Sequence, residues 1–416
     1  MYKNTKRRVY LLAVAITLGG TIPVSAQKKP GPDEAKVRAL HENILTIDTH
    51  VDTPMSMLER GFDIGIRNNT GEVDLPRMKE GGLDAIFFAV YTSQETRTEK
   101  NYAAAYSLAH AMIDTTIAAV SRNSHLAEIA LTPADARRIE KTGKRAIYLG
   151  MENGFPLAKE INRVEEFYRK GIRYITLCHS SHNDICDSSS DRGKPEHNGL
   201  SPFGREVVME MNRLGMIIDV SHISDQSFCE VLSISLAPVI ASHSSVRAIA
   251  RHKRNLSDDM IRKLAEKGGV IQICLLDEYV RDPDLNDPGY RMEREMREHY
   301  NAIRDTLSEE GKKEFRKIWL EMRAQNPKKL PSVQDYVDHI DHVVQLAGID
   351  HVGIGSDFDG GGGIAGCSDV SQFPQITGEL MKRGYSEPEI RKIWGGNFFR
   401  VFRKVESIAG KISSLH

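Results

Sequence analysis

Apolar residues gather in eight short, nearly continuous runs along this chain: 44–54, 83–91, 146–152, 172–179, 216–222, 238–243, 269–274 and 351–357. Runs of this length, rich in β-branched residues, suit strands buried on both faces. Between them lie charged, amphipathic stretches with helical spacing, among them 33–43, 97–124, 158–170, 203–214 and 257–267. Thr132-Pro133-Ala134-Asp135 reads as a helix start with proline in the first turn. Strand and helix alternating in this way predict a parallel sheet. Eight such units predict a (β/α)8 TIM-type barrel, with a doubly wound open sheet as the alternative. The rhythm breaks over 276–335, where Arg291 to Met322 is densely charged and helical in composition. This reads as a helical insertion between strands seven and eight, its charges forming a solvated face.

The runs share a second feature. Six of the eight end in an ionisable residue: His50 and Asp52, Glu152, His179, His222, His243 and Asp357. In a parallel barrel all these strand ends open on one face, where such barrels carry their active sites. Taken singly, His50-Val51-Asp52 is no more than a polar strand end that Pro54 terminates. Taken together, the imidazoles and carboxylates offer the N and O donors of a borderline metal ion. His50, Asp52, Glu152, His222 and His243 exceed the ligand set of one tetrahedral zinc with an open position. They suit two ions sharing a carboxylate. Glu152 would bridge, with His50 and Asp52 on one ion and His222 and His243 on the other. A water between the ions would ionise near neutral pH and act as a hydroxide nucleophile.

The N-terminus carries a different signal. Met1 to Arg8 is basic, Val9 to Gly20 is mostly apolar and uncharged, and Val24-Ser25-Ala26 fits a cleavage site. This is the layout of a secretory signal peptide over 1–26. It predicts export to a periplasm or to the outside, and Arg7-Arg8 leaves a twin-arginine route open beside the general one. The apolar run is too short to span a bilayer, and no later stretch reads as a transmembrane helix. The expected mature protein is one catalytic barrel over 33–410. With 56 Lys and Arg against 57 Asp and Glu, the chain offers no charge for nucleic acid or an anionic membrane. Its five cysteines, at 178, 186, 229, 274 and 367, match neither a zinc cluster nor a disulfide framework, although Cys178 and Cys186 are near enough for a local bridge.

Several segments make the chain similar to a known family. They are Ile47-Asp48-Thr49-His50-Val51-Asp52, Gly150-Met151-Glu152-Asn153-Gly154 and Arg173-Tyr174-Ile175-Thr176-Leu177-Cys178-His179. Ile218-Asp219-Val220-Ser221-His222, Pro238-Val239-Ile240-Ala241-Ser242-His243-Ser244-Ser245, Arg254-Asn255 and Val352-Gly353-Ile354-Gly355-Ser356-Asp357-Phe358-Asp359-Gly360 follow in order. Gly396-Asn397-Phe398-Phe399-Arg400-Val401 matches the closing helix. The sequence resembles the membrane dipeptidase (renal dipeptidase) family of binuclear zinc peptidases, amidohydrolase-like barrels, from about residue 40 to 405.

The resemblance implies hydrolysis of dipeptides with a free C-terminal carboxylate. It assigns His50, Asp52, Glu152, His222 and His243 as ligands of two Zn2+ ions. It further assigns His179 to polarising the substrate, Arg254 to its carboxylate and Asp357 to proton transfer. Arg254 stands beside Arg247, Arg251 and Lys253, and only the resemblance singles it out. Cys178 stands where the family often has threonine, and 182–188 replaces a more aromatic stretch. The 276–335 insertion is long for the family and is a candidate cover for the site or a candidate homodimer contact. The mammalian anchor signal has no counterpart in Ser413-Ser414-Leu415-His416. Two other readings stay open: a related binuclear amidohydrolase acting on another carboxylate-bearing amide or lactam, and a secreted metal-binding barrel without turnover.

Overall fold

Among the described residues the strands pair with one another in parallel throughout. The computed structural model describes residues 33–303 and 306–414, and the expected signal segment lies outside them. The strands are β1 (Ile47–Val51), β2 (Ala85–Tyr91), β3 (Ala127–Ile129), β4 (Arg145–Glu152), β5 (Ile172–Thr176), β6 (Ile217–Asp219), β7 (Ile240–Ala241), β8 (Val270–Ile273) and β9 (Val352–Ile354). They run in the order β1-β2-β4-β5-β6-β7-β8-β9, and β3 pairs only with β4. The barrel is nearly closed. Val51 bridges Phe358 in parallel, Asp52 N–H donates to Phe358 O at 2.9 Å and Asp357 N–H donates to His50 O at 3.0 Å. Eight strands thus form the barrel, as the sequence predicts. The ninth, β3, pairs on one side only, and its partly exposed Ala127-Glu128-Ile129 is not the apolar run of a doubly buried strand.

Two apolar layers follow from the strand alternation. Ala85 and Phe87 of β2 share one cluster with Ala146, Tyr148 and Tyr174, while Ile86, Phe88 and Val90 join the layer beneath the helices. Phe87 stacks on Tyr148 at 4.8 Å between ring centroids and meets Phe398 edge-on at 5.4 Å. Phe398 belongs to the last helix, Asn397–Ser413, so that helix contributes to the same layer as the strands.

Several strands end earlier than the sequence implies. β1 stops at Val51, and Pro54 lies in the first turn of a helix, Thr53–Arg60, instead of simply ending the strand. β5, β6, β7 and β9 stop two or three residues before His179, His222, His243 and Asp357. Those side chains stand on the turns that follow. His222 (φ 71°) and Asp357 (φ 62°) have left-handed backbone, which side chains with a Cβ adopt at a cost.

The insertion between β8 and β9 is helical: Asp277–Val280, Pro288–Ile303 and Glu309–Gln325. Lys328 pins it, with its ammonium 2.6 Å from Asp277 and 2.7 Å from Glu293. The regular helix Val333–Ala347 then leads into β9.

Candidate active site

Glu152 is the last residue of β4, and its carboxylate has a different neighbour on each oxygen. Oε2 lies 3.5 Å from His50 Nε2. Oε1 lies 2.9 Å from His222 Nε2, 3.5 Å from His243 Nε2 and 3.7 Å from His179 Nε2. His50 Nε2 is also 3.9 Å from Asp52 Oδ2 and 4.0 Å from Asp357 Oδ1. His222 Nε2 and His243 Nε2 face each other at 2.9 Å. All the strand-end residues singled out in the sequence converge here.

Groups behind the histidines orient them. Tyr174 reaches from β5, and its hydroxyl donates to Thr49 O at 3.2 Å. That hydroxyl lies 2.8 Å from His50 Nδ1, so it accepts the Nδ1 proton and leaves Nε2 free towards Glu152. Gly150 makes room for this ring, because a Cβ there would stand 2.1 Å from Tyr174 Cζ. On the other side, Ser242 Oγ donates to Asp219 at 2.6 Å and lies 2.8 Å from His243 Nδ1. The same reasoning frees His243 Nε2. Asp219 also accepts from the backbone of Ser221 and Ser242, at 3.0 and 2.8 Å. Asp48 plays a similar part for the closing turn, accepting from Ser356 N–H at 2.8 Å and from His50 N–H at 3.2 Å.

The charges are unbalanced in a way that calls for a cation. Burial pushes the Asp52 carboxyl well above its ordinary range, and Glu152 and Asp357 add to this. Burial likewise raises Asp357 to about 7, reinforced by Glu152 and opposed by His50 and Arg254. Burial also disfavours the His50 imidazolium, yet the surrounding carboxylates outweigh it and lift the group to about 10. His222 and His243 are held neutral, first by burial and then by nearby cationic groups including Arg254. Neutral imidazoles are the metal-binding form. His50 Nε2, Asp52 Oδ1 and His222 Nδ1 are buried with no hydrogen-bond partner among the described residues. Buried polar atoms are seldom left so. Three clusters have ligand atoms within 4.8 Å of one another: His50 with Asp52 and Glu152, Glu152 with His179 and His222, and His50 with His243 and Asp357.

Arg254 packs beside the same cluster. It donates to Ser244 Oγ at 3.2 Å and to His243 O at 3.1 Å, and lies 5.3 Å from the Tyr279 ring. Its Nε–H has no partner among the described residues. His179 is partly exposed, its ring 4.3 Å from that of His222 and edge-on to Tyr91 at 4.9 Å.

The membrane dipeptidase profile (Peptidase family M19) matches residues 34–415. The chain belongs to this family. It is a metallo-dipeptidase, a hydrolase of peptide bonds. Dipeptidase tcpJ of Claviceps purpurea is 33% identical over 380 residues, 88% of this chain and 79% of that one. Dipeptidase verJ of Clonostachys rogersoniana is 33% identical over 392 residues, 91% and 88% of the two chains. Among solved structures, the probable dipeptidase PvdM from Pseudomonas aeruginosa is 30% identical with a TM-score of 0.80, covering 90% of this chain and 98% of that one. A Rhodobacter sphaeroides metallo peptidase liganded with a phosphinate mimic of L-Ala-D-Ala shares the fold, with a TM-score of 0.70 at 23% identity, covering 87% and 99%.

Membership of the membrane dipeptidase family implies metal ions, and the donor set fits them. Sequence reasoning did not assign the supporting groups of this dipeptidase: Tyr174, Ser242, Asp219 and Asp48. The signal available was a polar residue inside a run otherwise apolar, as at Asp48 and Asp219. The local Cys178–Cys186 bridge that the sequence left open is not formed: both are free, buried thiols.

Proposed function

We propose that the protein is a zinc dipeptidase that holds two ions across Glu152 and cleaves dipeptides bearing a free C-terminal carboxylate. One observation carries this reading: the two oxygens of Glu152 face separate donor groups, His50 on one side and the His222–His243 pair on the other. His50 and Asp52 would complete one ion, and His222 and His243 the other. When bound, the ions supply a water activated at neutral pH and a Lewis acid for the scissile carbonyl.

The chain's own residues do the rest. Arg254, buried and with an unpartnered Nε–H, suits the substrate carboxylate as a fixed charged donor. His179, partly exposed at the edge of the cluster, donates to the carbonyl oxygen as charge develops there. Asp357, at about 7, takes up a proton near neutral pH and returns it to the leaving amine. The basic and apolar N-terminal segment supports export to a periplasm or the outside.

The test is a panel of dipeptides with L- and D-residues at the second position, offered to zinc-loaded enzyme of measured metal content. Release of free amino acids at two ions per chain is expected. No release across the panel overturns the reading. Hydrolysis confined to lactams or N-acyl amino acids would favour the related amidohydrolase.

A further inference from the structure

An open cavity of about 990 Å³ lies between the insertion and the helix Thr53–Arg60. The helix begins beside Asp52, and seven residues at about 1.5 Å each carry it roughly 10 Å outward to Glu59. The cavity is therefore a neighbour of the catalytic face and not part of it. Its lining has two components. Tyr300, Phe315 and Trp319 form an aromatic wall, with Phe315 5.1 Å from the Tyr300 ring and 6.1 Å from the Trp319 ring. Leu320 extends it, 56% exposed. Against this wall stand Arg60, Lys313 and Arg316, none of which makes an ion pair among the described residues. Arg323 also lines the cavity but is engaged by Glu293 at 2.7 Å. The one acidic lining residue is Glu59.

Cations gathered beside a single carboxylate repel one another. Burial, then the neighbouring Arg60, hold the Arg316 guanidinium below the usual arginine range, and Glu59 only partly offsets them. A ligand that relieves this arrangement must bring negative charge. One that also covers the wall must bring an apolar body. A volume of this size accommodates a small molecule.

We infer that this cavity is a second binding site, separate from the dipeptide site, for a small organic anion: a carboxylate or sulfonate carried on an aromatic or aliphatic body. The aromatic wall takes the body, and Arg60 and Arg316 take the anionic group. The inference does not rest on the zinc dipeptidase reading.

The chain has two tryptophans, and Trp394 is fully buried, so Trp319 reports on the cavity. Full-length enzyme is titrated with 1-anilinonaphthalene-8-sulfonate and with uncharged N-phenyl-1-naphthylamine, while tryptophan emission is followed. The sulfonate should quench saturably, near one per chain, and the uncharged probe should bind at least tenfold more weakly. Trp319→Phe should abolish the quench. Arg60→Glu/Arg316→Glu, and the milder Arg60→Gln/Arg316→Gln, should weaken the sulfonate at least tenfold with dipeptide turnover unchanged. Equal affinity for both probes, or undiminished sulfonate binding by both double variants, overturns the inference. So does a Trp319 signal that follows protein concentration without probe, which would assign the cavity to a second copy of the chain.

Discussion

The Tyr174 hydroxyl stands 2.8 Å from His50 Nδ1, although the two residues are 124 apart in sequence. It fixes which nitrogen of His50 faces Glu152. Tyr174→Phe keeps the ring and removes this partner. Metal affinity should fall about 10- to 100-fold, as is usual when the partner behind a ligating histidine is lost. A chelator competition assay reads this directly. Unaltered affinity would show that His50 needs no support from β5.

Gly150→Ala attacks the same arrangement from behind. Its Cβ would meet Tyr174 Cζ at 2.1 Å, a distance no side chain tolerates. The ring must move, so metal affinity should drop as in Tyr174→Phe. Overpacking should also cost about 1–3 kcal/mol of stability. Urea unfolding beside the chelator assay checks both effects.

Asp52→Asn and Glu152→Gln should differ in metal content. Asp52 neighbours only the His50 side, so its variant should keep one ion per chain, held by His222 and His243. Glu152 faces both sides, so its variant should keep one loosely or none, with activity reduced about a hundredfold or more. Elemental analysis after gel filtration separates the two. Two tightly held ions in Glu152→Gln would remove the bridge.

Arg254→Ala should raise KM for dipeptides about 10- to 100-fold, worth about 1.4–2.8 kcal/mol. C-terminally amidated dipeptides, poor substrates already, should lose little more. Equal losses on the two series would assign Arg254 a structural role instead.

Acid should destabilise the fold through buried histidines outside the proposed ligand set. His41 lies between Thr377 Oγ1 at 2.7 Å and Gly81 O at 2.9 Å, and burial lowers it from 6.5 to about 4. The unfolded chain therefore binds the proton first as pH falls. Stability from this group is full above about 6.5 and declines towards pH 4, by up to about 3 kcal/mol. His339, also lowered to about 4 by burial, acts in the same direction. Urea midpoints at pH 7, 5.5 and 4.5 should fall less steeply in His41→Gln than in the parent. Parallel slopes would exclude the contribution.

The barrel and the convergence of ionisable residues at its strand ends were legible because each depends on a local pattern. A doubly buried strand must be apolar, and an ionisable residue at its end stands out. The supporting groups were not legible for the opposite reason. Tyr174 and Ser242 sit in apolar or small-residue surroundings, and their roles arise from strands that meet only in the closed barrel. Arg254 was one of four Lys and Arg residues between 247 and 254, singled out by the family resemblance alone, until the structure buried it against Ser244 and the backbone of His243. β3 escaped because Ala127-Glu128-Ile129 is a partly exposed edge strand with a charged residue at its centre, not an apolar run. The anion cavity escaped because Trp319 and Arg316 belong to a charged helix whose partner, Thr53–Arg60, lies some 250 residues earlier.

The seam between β1 and the turn after β9 has a consequence for how the enzyme is made. His50 and Asp52 hydrogen-bond through their backbones to Asp357 and Phe358. The N-terminal ligands are synthesised about three hundred residues before the segment that holds them in place. A nascent or truncated chain ending before β9 carries all five proposed ligands, yet lacks the strand and the turn that fix two of them. Metal acquisition is thereby a late event, tied to completion of the polypeptide. Fragments released by interrupted synthesis would compete poorly for metal with finished molecules.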